Sequence, residues 1–68
     1  MKTITYRGEQ YEVEDWVNWV AMDASGEIFV YENEPTIEPG ELVWSYNLNR
    51  VEWIGREHVE WEESLEKV

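Results

Sequence analysis

The sequence predicts a small, mostly β domain: an antiparallel sheet of five or six strands, strongly bent or partly closed into a barrel, with a short C-terminal helix. Three observations lead there. Apolar and polar residues alternate through short segments that are separated by turn residues. Two of those turns, Arg7-Gly8 and Asp23-Ala24-Ser25-Gly26, have the composition of tight hairpin connections. Finally, 15% of the 68 residues are aromatic, with five tryptophans, four tyrosines and one phenylalanine. Each large ring can bury roughly 150–250 Å². A single domain this short is marginal without staples, and the absence of cysteine removes disulfides. The rings are therefore read first as core and only then as a binding platform.

Taken in order, Lys2–Tyr6 and Glu9–Val13 read as two strands joined by Arg7-Gly8. A two-residue turn pairs Tyr6 with Glu9 and Ile4 with Tyr11, and Gly8 supplies a positive φ. Residues 16–22 and 27–32 form the second hairpin around a type I turn at 23–26, closed by a left-handed Gly26. Its register sets Ala21 against Phe29 and Trp19 against Tyr31 on one face. Val20 against Val30 and Met22 against Ile28 make the other. Both faces are apolar, which places this hairpin at the centre of the sheet or in a curled wall. Residues 33–41 are a connector, with Pro39-Gly40 suited to a type II turn. Residues 42–46 alternate, with Leu42, Trp44 and Tyr46 on one side. After an Asn47-Leu48-Asn49 turn, residues 51–54 complete a third hairpin. Trp61, Leu65 and Val68 then stand at four- and three-residue spacing, as on one face of a short helix.

Composition excludes several chemistries. Without cysteine there is no thiolate nucleophile and no Cys-ligated zinc. A single histidine, His58, leaves no multi-histidine metal site and reads as a surface residue. Glu57, His58, Glu60 and Glu62 could gather near a divalent ion, but such a group is more simply a solvated face, and Asp23 to Glu27 is too short for a calcium loop. Ser25, Ser45 and Ser64 stand in no nucleophile motif. Carboxylate pairs abound by chance, and so short a chain has little material to wall a catalytic cleft. No enzyme activity, metal or cofactor is expected. The sequence holds no apolar run of membrane-spanning length and no signal-peptide pattern, so a soluble, cytosolic protein is expected.

Charge is the main functional clue. Sixteen acidic residues against five basic ones give a net charge of −11, beyond the roughly 2–8 that solubility asks of a small domain. Lys2, Arg7, Arg50, Arg56 and Lys67 are scattered singly, which disfavours direct binding to nucleic acid, whose phosphates call for a basic groove. The same argument reversed points to a basic partner that itself binds nucleic acid. Strand residues two apart lie about 6.6 Å from each other on one face, a phosphate-like step. Glu12 with Glu14 and Glu32 with Glu34 fit it if the strands extend that far, and Glu60 with Glu62 fit it if the helix begins after them. If the helix begins earlier, Glu62, Glu63 and Glu66 form an acidic helical face. Glu32, Glu34, Glu38 and Glu41 around the connector, with Glu60, Glu62, Glu63 and Glu66 near the C-terminus, are the candidate contact residues. The competing class is an aromatic module that binds a basic or proline-rich peptide, with Trp16, Trp44 and Trp53 as candidates.

The pattern Trp19-x-Ala21-x-Asp23-x-x-Gly26-x-Ile28, running on to Tyr31-Glu32-x-x-Pro35, resembles small proteins encoded by phages and prophages. The tail Glu60-Trp61-x-x-Ser64-Leu65 is similar to a Trp-x-x-Ser-Leu ending in such proteins. This resemblance implies a phage setting and a compact β fold, and it carries over no functional residues. The composition is similar to that of DNA-mimic inhibitors. Together these features predict an inhibitor that occupies the basic cleft of a host nucleic-acid-binding protein, such as a defence nuclease, CRISPR effector, restriction enzyme or repair enzyme.

Overall fold

The computed structural model describes residues 1–45, 48–57 and 60–68. Among these, six strands form two antiparallel sheets. The first sheet pairs β1 (Lys2–Tyr6) with β2 (Glu9–Val13). The second contains β3 (Trp19–Met22), β4 (Glu27–Tyr31), β5 (Val51–Arg56) and β6 (Glu66–Lys67), in the order β5-β4-β3-β6. In place of the single bent or partly closed sheet expected from the sequence, two sheets stack, and no barrel closes among the described residues, because β1 and β2 pair with each other alone.

The first hairpin has the expected register, with Ile4 opposite Tyr11 and Tyr6 opposite Glu9. Both central turn residues have positive φ, Arg7 at 53° and Gly8 at 84°. This is the type I′ geometry, whose twist matches that of the flanking strands. For Gly8 it is free of strain, whereas an arginine in this region costs about 1–2 kcal/mol.

The central hairpin also has the expected register. Trp19, Val20, Ala21 and Met22 face Tyr31, Val30, Phe29 and Ile28 in turn. Its turn is closed by the Gly26 N–H donating to the Asp23 carbonyl at 2.8 Å and the Asp23 N–H donating to the Glu27 carbonyl at 2.9 Å. With two apolar faces, β3 and β4 occupy the middle of the sheet. On one face Val20, Met22, Ile28 and Val30 pack against Ile4, Tyr6 and Val13 of the first hairpin, with Val17 beside them. On the other, Ala21, Tyr31 and the partly buried Trp19 and Phe29 are covered by Trp44, Ile37, Trp61 and Leu65. The chain is thus three layers thick: hairpin, sheet, and a cover of irregular segments.

Expectations for three individual elements are also corrected. Strand β3 starts at Trp19 rather than at residue 16, because a turn intervenes in which the Val17 N–H donates to the Glu14 carbonyl. Residues 42–45 form no strand, and the third hairpin does not exist. Instead the connector crosses the sheet face, buried Trp44 fills that core, and β5 pairs with the free edge of β4. Tyr46 and Asn47, part of that expected hairpin, lie outside the described residues. The C-terminal helix is replaced by a single 3-10 turn, Trp61–Glu63, followed by β6 on the edge of β3. The period explains why. Trp61 and Leu65 join one core and Val68 the other, which a strand of alternating period allows and one helical face does not.

Ser64 fixes that C-terminal segment. Its hydroxyl oxygen accepts the Met22 N–H at 2.8 Å, and its one proton serves the carbonyl oxygens of Trp61 and Met22. The Tyr6 hydroxyl donates to the Ser64 carbonyl at 2.7 Å. Ser64 is fully buried, so no water substitutes for these contacts. Ser64→Ala is expected to lower stability by about 1–3 kcal/mol, the cost of orphaning a buried N–H, read as a lower urea midpoint with an unchanged slope.

Gly26 is constrained twice. Its φ is 91°, and a Cβ there would collide with the Glu57 carbonyl oxygen, which sits close because the Glu57 N–H donates to the Gly26 carbonyl at 2.8 Å. Gly26→Ala is expected to cost at least the roughly 1–2 kcal/mol of the left-handed region, whereas Gly8→Ala, with nothing within 4 Å of its Cβ position, costs no more than that. Parallel urea titrations of the two variants check the ordering.

Candidate functional site

The register of the strands determines where each carboxylate lies. Tyr6, at the end of β1, bonds Ser64, which bonds Met22 at the end of β3. The turns at 7–8 and 23–26 and the 60–64 segment therefore share one end of the molecule. Arg7 seals this arrangement. Its guanidinium donates to the Glu63 carbonyl at 2.8 Å and pairs with the Glu66 carboxylate at 3.4 Å. These contacts explain an arginine held at positive φ.

Nine carboxylates gather at this turn end. Glu9 and Glu27 occupy strand ends beside the two turns, and Asp23 begins the second one. Glu57 is tied to Gly26 through its N–H. Glu60, Glu62 and Glu63 ride on the 3-10 turn, all exposed. The connector adds two more. The Ala24 N–H donates to the Leu42 carbonyl, which places Glu41 here, and the Glu41 N–H donates to the Glu38 carbonyl across the Pro39-Gly40 turn. Gly40, at φ 86°, gives that turn its expected type II form. Among the described residues the cationic side chains at this end are Arg7 and Arg56, and Arg56 is paired with Glu27 at 3.4 Å. The opposite end is nearly balanced. Glu14, Asp15, Glu32 and Glu34 sit there with Lys2, Arg50 and Lys67, the last two lying over the rings of Trp16 and Trp19. Glu12, Glu52 and Glu66 lie along the strands, opposite Thr3, Val30 and Val20.

Five of the eight candidate residues, Glu38, Glu41, Glu60, Glu62 and Glu63, are thus brought together. Glu32 and Glu34 are at the far end, where Glu32 is half-buried and its backbone is tied to Arg50 and Asn18. Glu66 is occupied by Arg7, so Glu62, Glu63 and Glu66 do not form one acidic helical face. The expected two-residue strand spacing fails as well. β2 ends at Val13, β4 ends at Tyr31, and Glu60 precedes a 3-10 turn. Close spacing arises from turns instead. Glu38 and Glu41 flank a β-turn whose ends lie within about 7 Å, and Glu60 and Glu63 stack one 3-10 turn, roughly 6 Å, apart. Sequence reading missed Glu9, Glu27 and Glu57 because their proximity depends on how the two hairpins stack.

A second feature lies on the sheet face beneath the connector. Phe29, Tyr31, Val43, Val51 and Asp23 line a cleft of about 220 Å³. Asp23 is only 8% exposed. Its Oδ1 accepts the Trp44 N–H at 3.0 Å, and among the described residues no cation pairs with it. Burial raises its pKa above the ordinary 3.8, against the lowering effect of the Trp44 N–H, and the charge of Glu27 adds to the rise. Burial likewise raises the hydroxyl pKa of Tyr31, with the charge of Asp23 contributing. Of the tryptophans proposed for peptide binding, Trp44 is buried with its indole N–H donating to the Met22 carbonyl, and Trp16 is half-buried beneath Arg50. Trp53 is 54% exposed, on β5 opposite Phe29.

Among the described residues no three acidic or histidine side chains converge as metal ligands, and no helix is long and apolar enough to cross a membrane. His58 lies outside the described residues. The chain matches no family model, no curated protein and no solved structure.

A raised folded-state pKa on an acid means that the native state binds the proton more tightly than the unfolded chain does. Stability therefore falls as pH rises from the unfolded value, near 3.8, through the folded value. Asp23→Asn keeps an acceptor for the Trp44 N–H and the turn-forming side chain but has no charge to desolvate. Thermal unfolding is expected to show the variant gaining on wild type as pH rises across that window, and matching or exceeding it at pH 7. Asp23→Ala, which leaves the N–H unpaired, is expected to be less stable than both.

Proposed function

We propose that this protein is an acidic, phage-type inhibitor that occupies the basic cleft of a host nucleic-acid-binding protein, such as a defence nuclease, CRISPR effector, restriction enzyme or repair enzyme. The observation that carries this reading is that, among the described residues, nine carboxylates, all but Asp23 at the surface, lie at one end of a folded domain with two arginines, each already paired with a glutamate. A basic groove built for a polyanion meets there a dense, fixed negative surface, and association gains from electrostatic steering. The action is steric and electrostatic competition in the bacterial cytoplasm, with no catalysis, metal or cofactor.

Magnitudes favour a surface separable from the fold. Each buried core side chain such as Ile28 or Val30 contributes roughly 1.5–3 kcal/mol, whereas exposed ion pairs contribute about 0–1 kcal/mol. Removing charge at the turn end therefore tests function without unfolding the domain.

The immobilised protein, exposed to bacterial lysate at about 50 mM salt, is expected to retain a basic protein that elutes with a short DNA duplex and with about 300 mM salt. Glu60→Gln, Glu62→Gln and Glu63→Gln combined are expected to abolish retention, while Glu32→Gln with Glu34→Gln leaves it intact. A captured protein that resists both duplex and salt, or that ignores the triple variant, overturns the mimicry.

A further inference from the structure

We propose that the cleft between the sheet face and the connector is a receptor for one lysine side chain of a partner protein, with its methylene stem against Phe29, Val43 and Val51 and its ammonium at Asp23. The inference goes beyond the mimicry reading, since it concerns the buried carboxylate of Asp23 rather than the exposed ones around it and would hold for any basic partner.

Size comes first. At about 220 Å³ the cleft is smaller than the roughly 300–1,000 Å³ of sites for cofactors and metabolites, which leaves a single side chain as the fitting occupant. The lining then defines its chemistry. Four of the five lining residues are apolar or aromatic, and the fifth is a carboxylate that is nine-tenths buried and meets no cation among the described residues. An alkyl chain ending in a positive charge is complementary to both parts: the stem removes apolar surface from water, and the head compensates a desolvated charge.

Hydrogen bonding distinguishes lysine from arginine. Oδ1 of Asp23 is engaged by the Trp44 N–H, and Oδ2 has no hydrogen-bond partner among the described residues, which leaves one oxygen to meet a ligand. A guanidinium gains its advantage from a two-pronged contact with both carboxylate oxygens, whereas an ammonium is a compact charge satisfied by one. Trp53, exposed on the same face as Phe29 and Val51, stands where it can flank the entering side chain. The net charge of −11 draws in any basic segment, and the cleft adds a specific anchor.

The test is an amide NMR titration of the intact protein at about 150 mM salt, an ionic strength that screens diffuse attraction over about 8 Å. The probe is Nα-acetyl-lysine-N-methylamide, compared with its arginine and norleucine counterparts. The lysine probe is expected to give saturable shifts at the amides of Val43, Trp44 and Val51, with an affinity about tenfold or more above that of norleucine, as one charge-assisted hydrogen bond provides. Asp23→Asn, which keeps the acceptor for the Trp44 N–H, is expected to abolish that preference. Equal binding of norleucine, stronger binding of arginine, an unchanged preference in Asp23→Asn, or shifts confined to residues 60–63 would each overturn the lysine site. The last outcome would leave the acidic turn end as the binding surface, while failure of the lysate experiment alone would leave the cleft standing.

Discussion

The structure depends on a knot of hydrogen bonds at Ser64. One small hydroxyl accepts from the backbone of β3, and the adjacent carbonyl accepts from the Tyr6 hydroxyl of β1. Three segments distant in sequence, the first hairpin, the central hairpin and the C-terminus, are thereby held at a single buried point. In a domain without disulfides, where the sheet has only four strands and its last strand only two residues, apolar burial supplies the bulk of the stabilisation but little direction. A fully buried hydroxyl that satisfies specific backbone groups supplies direction, because any other placement of the C-terminal segment leaves those groups unpaired. The Trp61-x-x-Ser64-Leu65 pattern thus has a structural role: Trp61 and Leu65 cover the sheet and Ser64 fastens it.

The same knot organises the charge. Ser64 brings the C-terminal segment to the end of β3, where both hairpin turns already lie, and so carboxylates from four separate stretches of chain become neighbours. Self-repulsion of this kind opposes folding. Here, Asp23 apart, it falls on turns and exposed positions, outside the packed layers, where water screens it. Arg7 answers part of it directly, spanning from a left-handed turn position to Glu63 and Glu66. Its strain at the turn and its contacts across the sheet belong to one compromise, in which the better turn residue would lose the tie to the C-terminal segment.

Asp23 illustrates how one residue can serve fold and surface together. As the first residue of a type I turn it is a favoured turn former, and as the acceptor for the Trp44 N–H it anchors the connector over the sheet. Both tasks can be met by a neutral asparagine. The charge itself serves neither, and burial makes it unfavourable, which is why the cleft beside it stands out from an ordinary packing gap.

The sequence by itself determined the two hairpins, down to their cross-strand partners, because alternation of period two and glycines that require positive φ act over a few residues and leave little room for another register. It also determined the acidic character and the central position of β3 and β4, whose two faces are both apolar. Of the rings expected inside, Tyr6, Tyr31 and Trp44 are buried in a mostly aliphatic core, whereas Trp53 is exposed. Only the tertiary structure decided the rest. Whether residues 42–45 would pair as a strand or lie across the sheet depended on which edge and which face remained uncovered, and the spacing of Trp61, Leu65 and Val68 fits a helix and an edge strand alike until a partner edge is present. The acidic end was hidden for the same reason. Charge divides almost evenly between the two halves of the chain, at −6 for residues 1–34 and −5 for residues 35–68, and becomes polarised only when antiparallel pairing and the stacking of two hairpins bring distant turns to one pole.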